Sequence, residues 1–294
     1  MHDLVDRFVA PPGKKISLKR KFDPGYIPKG ISKEEAKTLL RTGIERLAKY
    51  QDMLYAQNTH GILIILQGMD ASGKDGLIKH VMTGLNPQGC QVYSFKVPSD
   101  EELSHDYMWR CMKRLPERGR IGIFNRSYYE EVLVARVHPE ILDRQRIPPE
   151  LKGPGIWKRR FEEINNFERY LTNNGIHVVK LYLNLSKEEQ RRRFLARIDR
   201  PEKNWKFSAA DARERAHWHE YMQAYEDAFK HTSTEWAPWY IVPADHKWFS
   251  RLAVSNIIYS QLKSLDLKYP AVDEAQREEL AKARVLLEQD SAQK

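Results

Sequence analysis

The residues with the most chemistry in this sequence run from position 68 to 76: Gly68-Met69-Asp70-Ala71-Ser72-Gly73-Lys74-Asp75-Gly76. The first seven fit G-x-x-x-x-G-K, the spacing of a phosphate-binding loop. Glycines at both ends let successive backbone amides turn inward as an anion nest. A helix opening at Lys74 adds the partial positive charge of its N-terminus, and the lysine adds a full one. Out of context the pattern is as often a plain turn. Here it follows the continuously apolar run Ile62-Leu63-Ile64-Ile65-Leu66-Gln67, which reads as a central parallel strand buried on both faces. Two carboxylates depart from the usual motif. Asp75 stands where Ser or Thr normally holds magnesium, and Asp70 lies inside the loop. Two acids in an anion cradle repel phosphate unless a cation lies between them. Asp70 is therefore read as a magnesium ligand and a base towards the attacking phosphate oxygen, and Asp75 as a further metal-side or structural ligand. The alternative for Asp75 is that it only caps the helix, where an acid is favourable.

A second group, Phe124-Asn125-Arg126-Ser127-Tyr128-Tyr129-Glu130, ends another short apolar strand. In doubly wound sheets the carboxyl ends of strands face the ligand, so Arg126 and Ser127 are expected to reach the same phosphates. The acidic metal residue usual near this point is replaced by Asn125. The basic stretch 187–206 holds Lys187, Arg191, Arg192, Arg193, Arg197, Arg200, Lys203 and Lys206. Arg193 and Arg197 share a helix face and are expected to act from a lid over a transferring phosphate, neutralising charge and excluding water. Lys187 and Lys203 read as a solvated face. His217-x-His219-Glu220 fails as H-E-x-x-H because residue 223 is Gln223, and G-x-S-x-G is absent.

These groups need elements to hold them. The spacing predicts strands at 62–67, 91–97, 121–124, 177–183 and 239–242. Helices are predicted at 74–85, 101–115, 157–173, 248–265 and 273–289, with a long helical stretch at 186–229. Ser32 and Glu35 form a capping box ahead of a long amphipathic helix. Strands separated by helices predict one doubly wound parallel α/β sheet in a single domain, 31–294, with a lid at about 186–215. Residues 1–30, rich in Pro, Gly and Lys, read as an extended arm lying on the body, or as partly disordered.

The 294 residues are 41% hydrophobic and 30% charged, which excludes fibrous and disordered classes. No apolar run approaches the ~20 residues of a membrane helix, and the N-terminus lacks a signal-peptide pattern. Two distant cysteines, Cys90 and Cys111, fit a reducing cytoplasm. Lys and Arg number 49 against 40 Asp and Glu, so 49 − 40 leaves +9, weakly favouring a polyanionic partner.

Taken together, segments 68–76, 104–110, 124–130, 204–208 and 237–245 resemble the polyphosphate kinase 2 family over about 19–265. The resemblance implies a three-layer α/β/α P-loop kinase fold, thymidylate-kinase-like, with a helical lid. It implies phosphoryl transfer from inorganic polyphosphate to nucleotides (AMP, ADP and guanine nucleotides) with Mg2+ or Mn2+, in a homodimer or homotetramer without nucleic-acid or membrane partners. Asp70, Lys74, Asp75, Arg126 and Arg193 fall on family positions linked to metal or phosphate. Gly68, Ala71, Ser72, Gly73, Gly76, Asn125, Ser127, Glu130, Arg197 and Lys206 complete the implied substrate site, and Lys79, Lys96, Arg110 and Lys113 are candidate walls of a polyphosphate groove. The family often has Asp at the position of Asn125, so this strand offers no carboxylate there. The 125–130 segment resembles the subgroup that accepts both nucleoside mono- and diphosphates; the diphosphate subgroup more often has Asn at the position of Glu130. Glu130 either arranges metal or water where the shorter acceptor leaves a gap or only pairs with Arg126 as a local bridge. An ATP-dependent nucleoside monophosphate kinase and a non-catalytic polyanion-binding protein are the alternatives.

Overall fold

The computed structural model describes residues 2–205 and 207–291. The arm holds two short helices, α1 (His2–Asp6) and α2 (Leu18–Lys21), followed by the long α3 (Lys33–Gln57). Ser32 caps α3 with the expected reciprocal bonds to Glu35. Then come β1 (Gly61–Gln67), α4 (Lys74–Val81), β2 (Cys90–Ser94), α5 (Asp100–Leu103), α6 (Trp109–Met112), β3 (Ile121–Asn125), α7 (Glu130–Val137), α8 (Pro139–Arg144), α9 (Ile156–Asn173) and β4 (Ile176–Asn184). The excursion is α10 (Lys187–Ile198), α11 (Pro201–Asn204) and α12 (Ala209–Glu214), and α13 (Trp218–Thr232), β5 (Trp239–Pro243), α14 (Lys247–Ser264) and α15 (Glu274–Ser291) complete the chain.

The five strands form one sheet in the order β2-β3-β1-β4-β5, parallel at every pairing. The period-2 alternation of strand side chains divides the core in two. Ile62, Ile64 and Leu66 of β1 face a cluster completed by Leu47, Leu77, Val254 and Ile258 of α3, α4 and α14. Leu63 and Ile65 face the opposite cluster with Ile164, Tyr225 and Phe229 of α9 and α13. All seven residues of β1 are buried, so its carboxyl end delivers the loop at 68–73 from the middle of a three-layer α/β/α body.

Two predicted helices are broken. The 101–115 span stops at Leu103 because Asp106 turns the chain, its carboxylate accepting from the Met108 amide at 2.9 Å. The 186–229 span breaks before Pro201, which puts Arg200 in extended backbone, and again at Ser208, which caps α12.

The arm is more than extended chain. Val5, Phe8, Ala10, Ile16, Leu18 and Phe22 are buried. Val9 bridges antiparallel to Tyr240, with Ala10 N–H donating to Trp239 C=O at 2.8 Å and Ile241 N–H to Phe8 C=O at 2.7 Å. The Phe8 ring meets Tyr26 and Phe249 edge-on. Phe8→Ala should cost about 3–4 kcal/mol of unfolding free energy by urea titration, and an unchanged midpoint would mean the arm adds nothing to the core.

Candidate active site

The loop after β1 has the backbone its glycines allow. Gly68 has φ 153°, and a Cβ there would meet Ser72 Oγ at 2.8 Å and the Leu183 carbonyl at 3.1 Å. Gly73 has φ 106°, and Ala71 takes a left-handed φ of 62°. The turn aims the loop at the N-terminus of α4, where Leu77 N–H closes the first helical turn on Gly73 C=O. Lys74 is buried, its ammonium donating to Gly68 C=O at 2.7 Å and Met69 C=O at 3.3 Å. Burial, aided by Arg126, lowers its pKa from 10.5 to about 8 against the pull of Asp70, Glu130 and Asp75.

β3 delivers the other half. Arg126 carries φ 65°, a left-handed conformation costing about 1 kcal/mol for a residue with a Cβ. Its amide donates to Leu66 C=O at 3.0 Å, tying the bend to the end of β1. Its guanidinium donates to Asp70 Oδ1 at 2.7 Å and Glu130 Oε2 at 3.2 Å. Glu130 and Asp70 outweigh burial and hold the Arg126 charge firmly. Asn125 donates to Asp75 Oδ1 at 2.8 Å, so the residue in place of an acid orients the acid opposite. In the amide orientation that satisfies both its ends, Gln67 donates to Glu130 Oε1 at 2.9 Å and accepts from Ser127 N–H at 3.2 Å. Asp70, Lys74, Asp75, Asn125, Arg126, Ser127 and Glu130 thus form one linked cluster.

The excursion is used differently from the reading of a lid that closes through Arg193. Arg193 is buried, and its five N–H donors all end on protein. They reach Glu189 at 2.7 Å, Ala71 C=O and Ser72 C=O at 2.9 Å each, Ala244 C=O at 2.6 Å and Asp245 C=O at 3.1 Å. Gln190 adds a bond to Asp70 C=O at 2.9 Å. The first turns of α10 therefore brace the outside of the loop. Arg197, one turn on, is half-buried and lies over the Phe194 ring. Asp211 of α12 accepts from Ser208 N–H at 3.3 Å, and burial, with the charge of Asp70, raises its pKa against that bond and the pull of Arg197 and Arg126. Lys206 lies outside the described residues.

Arg110 is not an exposed groove wall. It is buried, donates to Lys96 C=O at 2.7 Å and lies 3.6 Å from Glu102. It borders a cavity of about 380 Å³ with Glu131 and Arg160, whose walls include none of Asp70, Lys74 and Arg126. Lys79, Lys96 and Lys113 are exposed, and Gly76 has open space where a Cβ would stand.

The statistical model of the polyphosphate kinase 2 family matches residues 30–270. The chain belongs to the polyphosphate kinase 2 family. It is 54% identical over 276 residues to an ADP-polyphosphate phosphotransferase of Rhodopseudomonas palustris, covering 92% of this chain and 94% of that one. It is 41% identical over 272 residues to an AMP/ADP-polyphosphate phosphotransferase of Meiothermus ruber, covering 92% and 97%. The crystal structure of polyphosphate kinase 2 from Arthrobacter aurescens TC1 superposes with a TM-score of 0.82 at 40% identity, over 93% of this chain and 98% of that one.

In this polyphosphate kinase 2 chain the sequence assigns no site role to Gln67, Gln190 or Asp211. Gln67 had a signal, as the polar end of an apolar strand. Gln190 had one too, three residues before Arg193 on the same helix face.

Two outcomes follow from this geometry. The charged form of Lys74 dominates below pH 8, so kcat/KM should fall as pH rises through about 8 at constant metal activity; a flat profile to about pH 10 would contradict it. Arg193→Ala should lower unfolding free energy by about 3 kcal/mol, as breaking a buried pair does, and impair KM and kcat together. A variant of full stability with only kcat lowered would return Arg193 to the phosphate side.

Proposed function

We propose that this enzyme moves the terminal phosphoryl group of inorganic polyphosphate onto ADP and AMP, and onto guanine nucleotides, making ATP from the diphosphate and ADP from the monophosphate. The observation that carries the reading is the cluster's charge. Lys74 and Arg126 converge with Asp70, Asp75 and Glu130, and 2 − 3 leaves −1 in a loop built for anions. Such a cradle accepts a polyanion only together with added positive charge, and Mg2+ or Mn2+ supplies it.

The residues fit that cation. Among the described residues no group of three or more His, Cys, Asp or Glu could hold a metal. Mg2+ needs no all-protein cage; it binds through one or two carboxylates, keeps its waters and shares the substrate's phosphate oxygens. Asp70 and Asp75 would hold it, and the buried Ser72 hydroxyl, without a protein partner, lies in the same loop. The bound cation would neutralise charge on the phosphoryl group in transfer. Lys74 and the loop amides hold the phosphate chain, Arg126 reaches it from the end of β3, and Arg197 adds a cation from α10. The unpaired thiols Cys90 and Cys111 are in keeping with a cytoplasmic enzyme. Assembly as a homodimer or homotetramer belongs to the proposal through the family resemblance.

Glu130 carries the monophosphate part. It is held by Arg126 and Gln67, so its carboxylate can order water or metal where the shorter acceptor leaves a gap. Purified protein is incubated with polyphosphate or ATP as donor, Mg2+ and each nucleotide, and the products are separated by chromatography. Polyphosphate with ADP should give ATP, and with AMP should give ADP and then ATP. Glu130→Asn should slow the AMP step about tenfold while sparing ADP. Inert AMP beside converted ADP would restrict the enzyme to diphosphates, and transfer from ATP alone would overturn polyphosphate as donor.

A further inference from the structure

We propose that the buried ion pair Glu168–Lys180 positions Arg126, acting through the hydroxyls of Tyr128 and Tyr129. The inference rests on the phosphate role given to Arg126 above.

Arg126 holds a left-handed backbone that an arginine does not prefer, and its amide tie to Leu66 fixes only the near side of the bend. The far side is Ser127-Tyr128-Tyr129, leading into α7. Both tyrosines are fully buried, and both hydroxyls donate to the same oxygen, Glu168 Oε1, at 3.0 and 2.8 Å. Glu168 Oε2 accepts from Lys180 at 2.6 Å, and neither side chain of the pair has any exposed surface. Lys180 also donates to the Tyr129 hydroxyl at 3.1 Å and to Thr232 C=O at 2.5 Å. Carboxylate and ammonium thereby join α9, β4 and α13 beneath the turn.

Consecutive side chains rarely point at one atom. Bringing two neighbouring hydroxyls onto one carboxylate oxygen fixes the turn 127–129 against α9 and β4, in addition to the local bonds of Ser127 with Gln67 and the Tyr129 amide, and with Leu66 this positions residue 126. A buried ion pair is a poor source of net stability compared with apolar residues of equal volume, so stability alone does not account for this one. Without the two hydroxyl bonds the turn would keep its local ties through Ser127 to Gln67 and the Tyr129 amide but lose those to α9 and β4, and Arg126 could relax away from Asp70. Small misplacements of a clamping arginine are costly in rate.

The test uses the full chain and the polyphosphate–ADP assay. The double variant Tyr128→Phe/Tyr129→Phe removes only the hydroxyls. A fourfold variant adds Glu168→Leu and Lys180→Met, replacing the whole network by apolar groups, and keeps the test open if the double variant unfolds. Each is made alone and with Arg126→Lys, which keeps a cation and a readable rate. Expected are folded proteins, with melting followed by circular dichroism, and kcat lowered about tenfold with Arg126 present. With Arg126→Lys the further loss should be less than about twofold, since the network then has no clamp to position. An equal loss in both backgrounds, wild-type kcat in a folded variant, or failure of both variants to fold would overturn the proposal. Wild-type turnover in Arg126→Lys alone would overturn it through the role of Arg126, whereas absence of polyphosphate-dependent transfer in the unaltered chain would refute the proposed function instead.

Discussion

A phosphate-binding loop is a run of backbone amides that must point inward without an anion to hold them, and its carbonyls must be satisfied from outside. In this protein Lys74 takes the carbonyls of Gly68 and Met69, and one guanidinium braces the far half of the loop. Arg193 takes the carbonyls of Ala71 and Ser72 from the loop and those of Ala244 and Asp245 from the segment after β5, with Glu189 closing its fifth donor. Two strand ends that flank β4 in the sheet are thereby fastened by one planar group. The inward side of the loop is left to Lys74 and the amides, and the neighbouring Gln190 secures the carbonyl of Asp70, whose carboxylate faces Arg126.

The same division between holding and acting explains which parts could be read from residues alone. β1 and its loop were legible because their signals are local: a strand buried on both faces shows as unbroken hydrophobicity, and glycine spacing marks where the backbone turns. The placement of Arg126 and Ser127 followed from a general rule about strand ends. The direction in which Arg193 points was not legible, because four-residue spacing states that two arginines share a helix face, not which way that face looks. Arg110 was misread similarly, since exposure cannot be inferred for an arginine whose partners, Lys96 C=O and Glu131, come from other elements. The Tyr128–Tyr129–Glu168–Lys180 network left no mark, because its bonds join residues 12 to 51 positions apart.

The cluster also shows why substituting an amide for an acid at position 125 does not empty the site. A carboxylate there would add a fourth negative charge beside Asp70, Asp75 and Glu130. Asn125 instead donates to Asp75 and aligns it, while Ser94 accepts from the same amide nitrogen at 3.4 Å. Two of the three carboxylates then lie on α4 and the loop, and the segment after β3 contributes the Arg126 cation.

The arm has a consequence beyond the packing of Phe8. β5 ends the sheet on one side, and a bare parallel edge offers its amides and carbonyls to any passing strand. The bridge between Val9 and Tyr240, with bonds at Ala10 and Ile241, occupies that row with the chain's own N-terminal segment. A molecule cleaved after Ala10 would therefore keep its loop and clamp yet expose a sticky border, and the first sign of damage would be self-association rather than lost turnover.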